Sequence, residues 1–229
     1  MTNRPFALLL SCCLALSAAP AFASGEDKIA RDAAEVVEAL AAIPETGLPA
    51  ALLEDAYAIA VIPAVLKVGF ILGGRRGEGL LVVRTPEREW SNPVFITLTG
   101  GSFGFQAGVQ STDVILVFKN RRSVDNIING TVTLGADAAI AAGPVGRRGE
   151  AATDAQLKAE IYSYSRSKGL FLGVSLEGAA LQIDHDSNAD FYGQADLDAR
   201  TIFADLELRR PTAARDFIRT LNRYTPKPS

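Results

Sequence analysis

The chain has 229 residues, 48% of them hydrophobic and 21% charged, with a formal net charge of −3. That balance excludes the cationic surface of a nucleic-acid-binding domain, and the apolar content excludes a disordered chain. Both cysteines, Cys12 and Cys13, fall among the first residues, so the remainder has neither a disulfide nor a thiolate to work with.

Arg4 is the only charge before Glu26, residues 6–16 are apolar apart from Ser11, and Ala21-Phe22-Ala23 offers small residues at the two positions a signal peptidase reads. The pattern predicts a signal peptide over 1–23, cleaved after Ala23, and one domain over 24–229 that is periplasmic or secreted and at most peripheral to a membrane. Two alternatives stand beside it. One is an uncleaved anchor, although the run is shorter than the ~20 residues of a span. The other is acylation at Cys12, after Leu9-Leu10-Ser11.

Residues 26–43 read as an amphipathic helix, with Ile29, Ala33, Val36, Val37, Leu40 and Ile43 at helical spacing and Pro44 as its stop. A short second helix covers 49–55 and starts on Pro49. From Tyr57 the texture changes to β-rich runs separated by glycine. Residues 58–62, 68–72, 79–84, 94–99, 102–110 and 114–118 read as strands, and Gly73-Gly74-Arg75-Arg76-Gly77 as a hairpin loop. Residues 125–128 form a helical turn, and 131–142 fit either strand or helix. A hairpin comes next, with strands over 160–165 and 170–183 about a turn at Ser167-Lys168-Gly169, and a terminal helix runs over 211–224. Gly100, Gly101, Gly104, Gly108, Gly135, Gly173 and Gly178 are too many for turns alone and predict bulges, bends and close packing. The fold class is α+β: a curved, mainly antiparallel β-sheet, or a partly closed barrel or sandwich, flanked by N- and C-terminal helices.

Gly100-Gly101-Ser102-Phe103-Gly104 has the form G-x-S-x-G, in which a hydrolase sets its serine on a strand-to-helix elbow. Residues 103–109 alternate like a strand, and the sole histidine, His185, would have to be the base. A glycine-rich strand that contains serine is the better account, and no catalytic residue is assigned. Asp184, Asp186, Asn188 and Asp190 put oxygen ligands at alternate positions. An EF-type loop needs glycine sixth and glutamate twelfth, where this chain has Ala189 and Ala195. The four form a weak divalent-ion candidate or a polar turn. No cofactor is implied.

The basic residues carry more. Arg75-Arg76 lies among glycines whose backbone N–H groups suit an anion, and Arg121-Arg122, Arg147-Arg148 and Arg166-Ser167-Lys168 occupy turn-like places. If these loops share one end of the sheet, they form a basic rim for phosphate headgroups; otherwise they are scattered, solvated cations. Arg215, Arg219 and Arg223 recur every four residues, with Phe217, Ile218, Leu221 and Tyr224 mostly away from them. Such a helix docks its apolar face on the core, presents its arginines to an anionic surface, or does both. The first helix, by contrast, has a net acidic polar face.

Residues 160–178 read E-I-Y-S-Y-S-R-S-K-G-L-F-L-G-V-S-L-E-G, and 188–193 read N-A-D-F-Y-G. With Ala58-Ile59-Ala60-Val61-Ile62-Pro63, Lys67-Val68-Gly69-Phe70, Gly77-Glu78-Gly79 and the 100–118 region, the pattern resembles the SYLF domain signature over residues 33–193. That family occurs in bacterial exported proteins and in eukaryotic membrane-trafficking proteins, the eukaryotic members being associated with phosphoinositides and the yeast ones with actin. The function expected is non-catalytic: the resemblance implies a lipid-binding protein, and the N-terminal signal places it in a bacterial envelope. It would bind an anionic phospholipid membrane surface through Arg75, Arg76, Arg121, Arg122, Arg166, Lys168, Arg215, Arg219 and Arg223. The alternative is an envelope interaction protein that docks another protein through its sheet or C-terminal helix. Neither nucleic acid nor actin is expected as a partner, the latter because an exported bacterial protein does not meet it.

Overall fold

A computed structural model of the chain describes residues 24–41, 50–69, 72–103, 108–144, 158–167, 170–205 and 207–225. The expected signal segment with its cleavage site, the Arg147-Arg148 pair and the Lys168-Gly169 turn lie outside the described residues.

The strands are β1 Ala58–Gly69, β2 Leu72–Val83, β3 Val94–Phe103, β4 Gly108–Phe118, β5 Val132–Thr133, β6 Ile140–Ala142, β7 Ile161–Ser167, β8 Leu170–Gly173 and β9 Ala179–Ile183. They join in one sheet in the order β5-β9-β3-β2-β1-β4-β7-β6, with β8 added to β7; the β6–β7 pair is parallel and the other pairs are antiparallel. Beyond β8, near one edge, the chain needs only residues 174–178 to reach β9 near the other. Five residues span at most ~18 Å. The two edges therefore approach each other, and the sheet curls into the half-barrel that its glycines predict.

Local features mark the starts of the helices other than α2. The Ser24 hydroxyl accepts from the Asp27 N–H at the start of α1 Gly25–Ala41, which buries Ala30, Ala33, Val36 and Val37. Asn120 caps α3 Arg121–Asn129, Asp184 caps α4 His185–Tyr192, and Asp198 caps α5 Ala199–Ala204, each accepting from the N–H three residues on. The Asp198 cap holds its own carboxyl below the ordinary value through the Thr201 N–H. Pro211 precedes α6 Thr212–Tyr224, whose Ala214, Phe217, Ile218 and Leu221 are buried and which packs against α1. α2 is the short helix Ala50–Glu54.

Several element readings need correction. The strand expected over 58–62 runs on to Gly69 as β1 and takes in the start of the one expected over 68–72; residues 70–71 lie outside the described residues, and Leu72 begins β2. Pro63 lacks an N–H, but it sits in a bulge between Ile62 and Val65, where the pairing with β4 shifts and no ladder bond is needed. Ala64 there takes φ 48°, and its N–H donates to Asp113 Oδ1 at 3.0 Å. The expected hairpin loop 73–77 lies inside β2. Its glycines answer the bulge: a Cβ at Gly79 would stand 2.3 Å from the Val61 carbonyl oxygen, and one at Gly77 2.7 Å from a Val65 methyl. Of the strand expected over 102–110, residues 102–103 end β3 and residues 108–110 begin β4, while 104–107 lie outside the described residues. Of the two readings left open for 131–142, strand is the one observed, as the short β5 and β6. Residues 170–183 divide into β8 and β9, which pair with different neighbours. The turn expected at 184–190 is the capped helix α4.

Candidate functional site

β1 and β4 show the division that creates the candidate surface. In β1, Ala58 to Pro63 are buried without interruption, and beyond them exposure alternates; β4 mirrors this, exposed from Gly108 and fully buried by Val114. The central strands thus run from a half covered on both faces into a half that projects beyond the helices. On one face of that projecting half Val68 pairs directly with Val109, and Leu66 lies two residues along. These side chains remain 48%, 68% and 44% exposed. Arg76 is opposite Leu66 on the same face and forms a 3.0 Å ion pair with Glu78. On the other face Arg75 stands between Lys67 and Gly100, and Lys67 is opposite Gln110. Arg75 is half-buried, and burial lowers its guanidinium pKa; its Nε has no hydrogen-bond partner among the described residues. Sequence reading missed Leu66, Val68, Val109 and Lys67, although the alternation Leu66-Lys67-Val68 is a period-2 signal.

The expected basic rim is divided. Arg75, Arg76 and Arg166 belong to strand segments that run toward the projecting end. Arg121 and Arg122 follow the opposite end of β4, where Phe118 pairs with Ala58. Arg166 is a tie: its Nη2 stands 2.6 Å from Asp113 Oδ2, both side chains are mostly covered, and Asp113 also holds the bulge. Arg121 pairs with Asp125 at 3.2 Å, and Arg122 is exposed. Lys168 lies outside the described residues. On α6, Arg215, Arg219 and Arg223 form one exposed row. Arg215 donates to the Arg210 carbonyl and to Thr212 Oγ1, Arg219 pairs with Asp216, and Arg223 stands 5.9 Å from the Tyr224 ring centre.

The oxygen-rich segment does not converge. Asp184 caps α4, accepting from Ser187 N–H at 3.1 Å. Asn188 turns into the core, where Oδ1 accepts from Phe95 N–H at 2.8 Å and Nδ2 donates to the Asp184 carbonyl at 2.7 Å. Asp186 and Asp190 are exposed, and no cluster of potential metal ligands exists among the described residues. Ser102 and His185 are also far apart. The Asp184 N–H donates to Phe95 on β3, and Ser102 lies seven residues further along that strand, about 20 Å at the usual rise. They cannot form a nucleophile–base couple.

The signature residues instead hold the fold. The Ser163 hydroxyl lies within hydrogen-bond reach of the carbonyls of both Ala141 and Val174 and shares its one proton between them, joining β7 to its neighbours. The Tyr164 hydroxyl donates to the Pro144 carbonyl at 3.1 Å and the Tyr192 hydroxyl to the Pro93 carbonyl at 2.6 Å; burial raises both phenol pKa values. Phe191 meets Phe95 edge-on at 4.9 Å. No helix among the described residues is long and apolar enough to cross a membrane, which leaves β-barrel insertion unaddressed.

A family model described as "Ysc84: Las17-binding protein actin regulator" matches residues 99–224, more than half of the chain. "SH3 domain-containing YSC84-like protein 1" of Xenopus laevis is 35% identical over 185 residues, covering 80% of this chain and 55% of the relative. "SH3 domain-containing protein PJ696.02" of Schizosaccharomyces pombe is 38% identical over 178 residues, 76% of this chain and 41% of the relative. "LAS seventeen-binding protein 3" of Saccharomyces cerevisiae is 36% identical over 177 residues, covering 76% and 38%. The chain spans about half the length, or less, of these curated relatives. These findings correct one expectation. Actin was set aside as a partner on the assumption of a bacterial envelope, whereas the family is described as an actin regulator and a yeast relative is named for binding LAS seventeen; setting actin aside does not stand. On the family model and these relatives together, the chain belongs to the Ysc84/SYLF family.

Proposed function

We propose that this chain is a non-catalytic binding module that engages anionic phospholipid surfaces through the projecting end of its sheet, assisted by the α6 arginines. The observation that carries the reading is the exposed cluster of Leu66, Val68 and Val109 with Lys67, Arg75 and Arg76 on the same strand segments. Apolar side chains enter the headgroup boundary while neighbouring cations meet its phosphates, each contributing on the order of 1 kcal/mol. The N-terminal pattern supports export of a domain that starts at Ser24 and works at the periplasmic or outer surface of a membrane. A protein partner in an actin pathway is the second reading, favoured by the names of the family and of its yeast relative.

Co-sedimentation with phosphatidylglycerol vesicles tests the first reading, with phosphatidylcholine vesicles as control. Replacing Arg215, Arg219 and Arg223 with glutamine weakens binding roughly a hundredfold at low salt, and added salt weakens the parent's binding steeply. Absence of binding, or indifference to both salt and the triple substitution, sinks the electrostatic reading. Co-sedimentation with filamentous actin then decides for the second.

A further inference from the structure

At the covered end of the sheet, away from the apolar cluster, a groove of about 550 Å³ opens between the end of β2, α3 and α5. Its volume falls within the ~300–1,000 Å³ usual for small-molecule sites. Its apolar lining comes from Val83, Val124, Ile128 and Phe203. Its charged lining is Arg84, Arg121 and Arg200 against Asp125 and Glu87, a surplus of one positive charge.

The arginines are already arranged around a carboxylate. Arg121 Nε donates to Asp125 Oδ2 at 3.2 Å, and Arg200 Nη1 stands 3.7 Å from Asp125 Oδ1. Arg200 is held in place by its 2.7 Å bond to Asn129 Oδ1. A guanidinium has five N–H donors in a planar fork, so two that share one carboxylate retain donors for a second. Arg84 is fixed differently. It lies 3.7 Å over the Trp90 ring and donates to the carbonyls of Arg88 and Thr225.

We infer that this groove binds a monomeric amphipathic anion, an acyl chain carrying one carboxylate, with the chain along the apolar lining and the head between Arg121 and Arg200. The surplus charge matches a monoanion. The site is separate from the projecting sheet end, so it stands or falls independently of membrane binding. Trp90 is the only tryptophan of the chain, and Arg84 couples its ring to the groove.

Equilibrium dialysis of the full domain against labelled decanoate, below its aggregation threshold, measures binding, and Trp90 emission locates it. Saturable one-to-one binding with a parallel change in emission is expected. Decanol binds at least tenfold more weakly, as does decanoate to Arg121→Gln. That side chain is 71% exposed, so its loss leaves the Arg200 tie between α3 and α5 in place. The paired variant Leu66→Asp and Val109→Asp binds decanoate as the parent does. Lack of saturable binding, equal binding of decanol, or indifference to Arg121→Gln overturns the proposal. Emission changes that require phosphatidylglycerol vesicles and fail with decanoate overturn it too, and assign the anion to the membrane.

Discussion

The two halves of β1 and β4 are continuous in backbone and opposite in environment. In the covered half, Ile59, Val61, Ile115 and Val117 are as buried as Ala60, Ile62, Leu116 and Phe118, so both faces of each strand serve the core. In the projecting half the same strands carry Leu66, Val68 and Val109 in the open. The bulge at Pro63 and Ala64, fixed by Asp113 and Arg166, marks the change from one to the other. Ladder hydrogen bonds are alike on both sides of it, so burial distinguishes the half that stabilises the fold from the half available for binding.

Substitutions should separate the halves by size of effect. Gly79→Val strikes the covered half hardest, because the new Cβ meets the Val61 carbonyl and the Ile62 backbone, neither of which can yield. A loss of about 4 kcal/mol is expected in chemical denaturation; a parent-like midpoint would mean that the sheet is not closely packed at the bulge.

Asp113→Ala removes the carboxylate that accepts from both the Ala64 N–H and the Arg166 guanidinium at the boundary. The cost is about 2 kcal/mol, below that of a fully buried pair because both side chains keep some contact with water. Full stability in this variant would show that the clamp on the bulge contributes nothing.

Alkaline pH probes two buried phenols outside the projecting half. Burial keeps Tyr164 and Tyr192 neutral in the fold, above the ordinary phenol value of 10. The unfolded chain therefore releases protons first. Their contribution is complete below pH 10 and declines as pH rises beyond it, by about 1.4 kcal/mol per pH unit for each tyrosine. Tyr192→Phe should flatten the fall of the thermal midpoint above pH 10, and an unchanged slope would show that Tyr192 does not carry it.

The smallest stability effect belongs to the projecting half. Leu66→Asp with Val109→Asp should change stability by less than about 0.5 kcal/mol, since neither side chain is buried. Vesicle binding should nevertheless be lost. A large destabilisation would reveal a packing role for these residues, and retained vesicle binding would move the lipid contact elsewhere.

The α+β class, the curled glycine-rich sheet and the terminal helices were legible along the chain, because these rest on local periodicity and on proline and glycine stereochemistry. So was the arginine row of α6, because Arg215, Arg219 and Arg223 share one face by helical spacing alone. Other features depend on residues far apart in the chain. Pro63 ends a strand by its own chemistry, and only the bulge against β4 lets β1 continue. Arg166 is a solvated cation until Asp113, 53 residues away, claims it. The segment 184–190 looks like a ligand-bearing turn until Asn188 finds the Phe95 N–H, 93 residues away. The four basic clusters look equivalent along the chain, yet strand direction sends Arg75 and Arg121 to opposite ends of the sheet. The groove beside Trp90 is assembled from β2, α3 and α5, so no single stretch of sequence encodes it. Periodicity decides which way a side chain faces its own element; only tertiary packing decides what stands opposite, and binding is settled there.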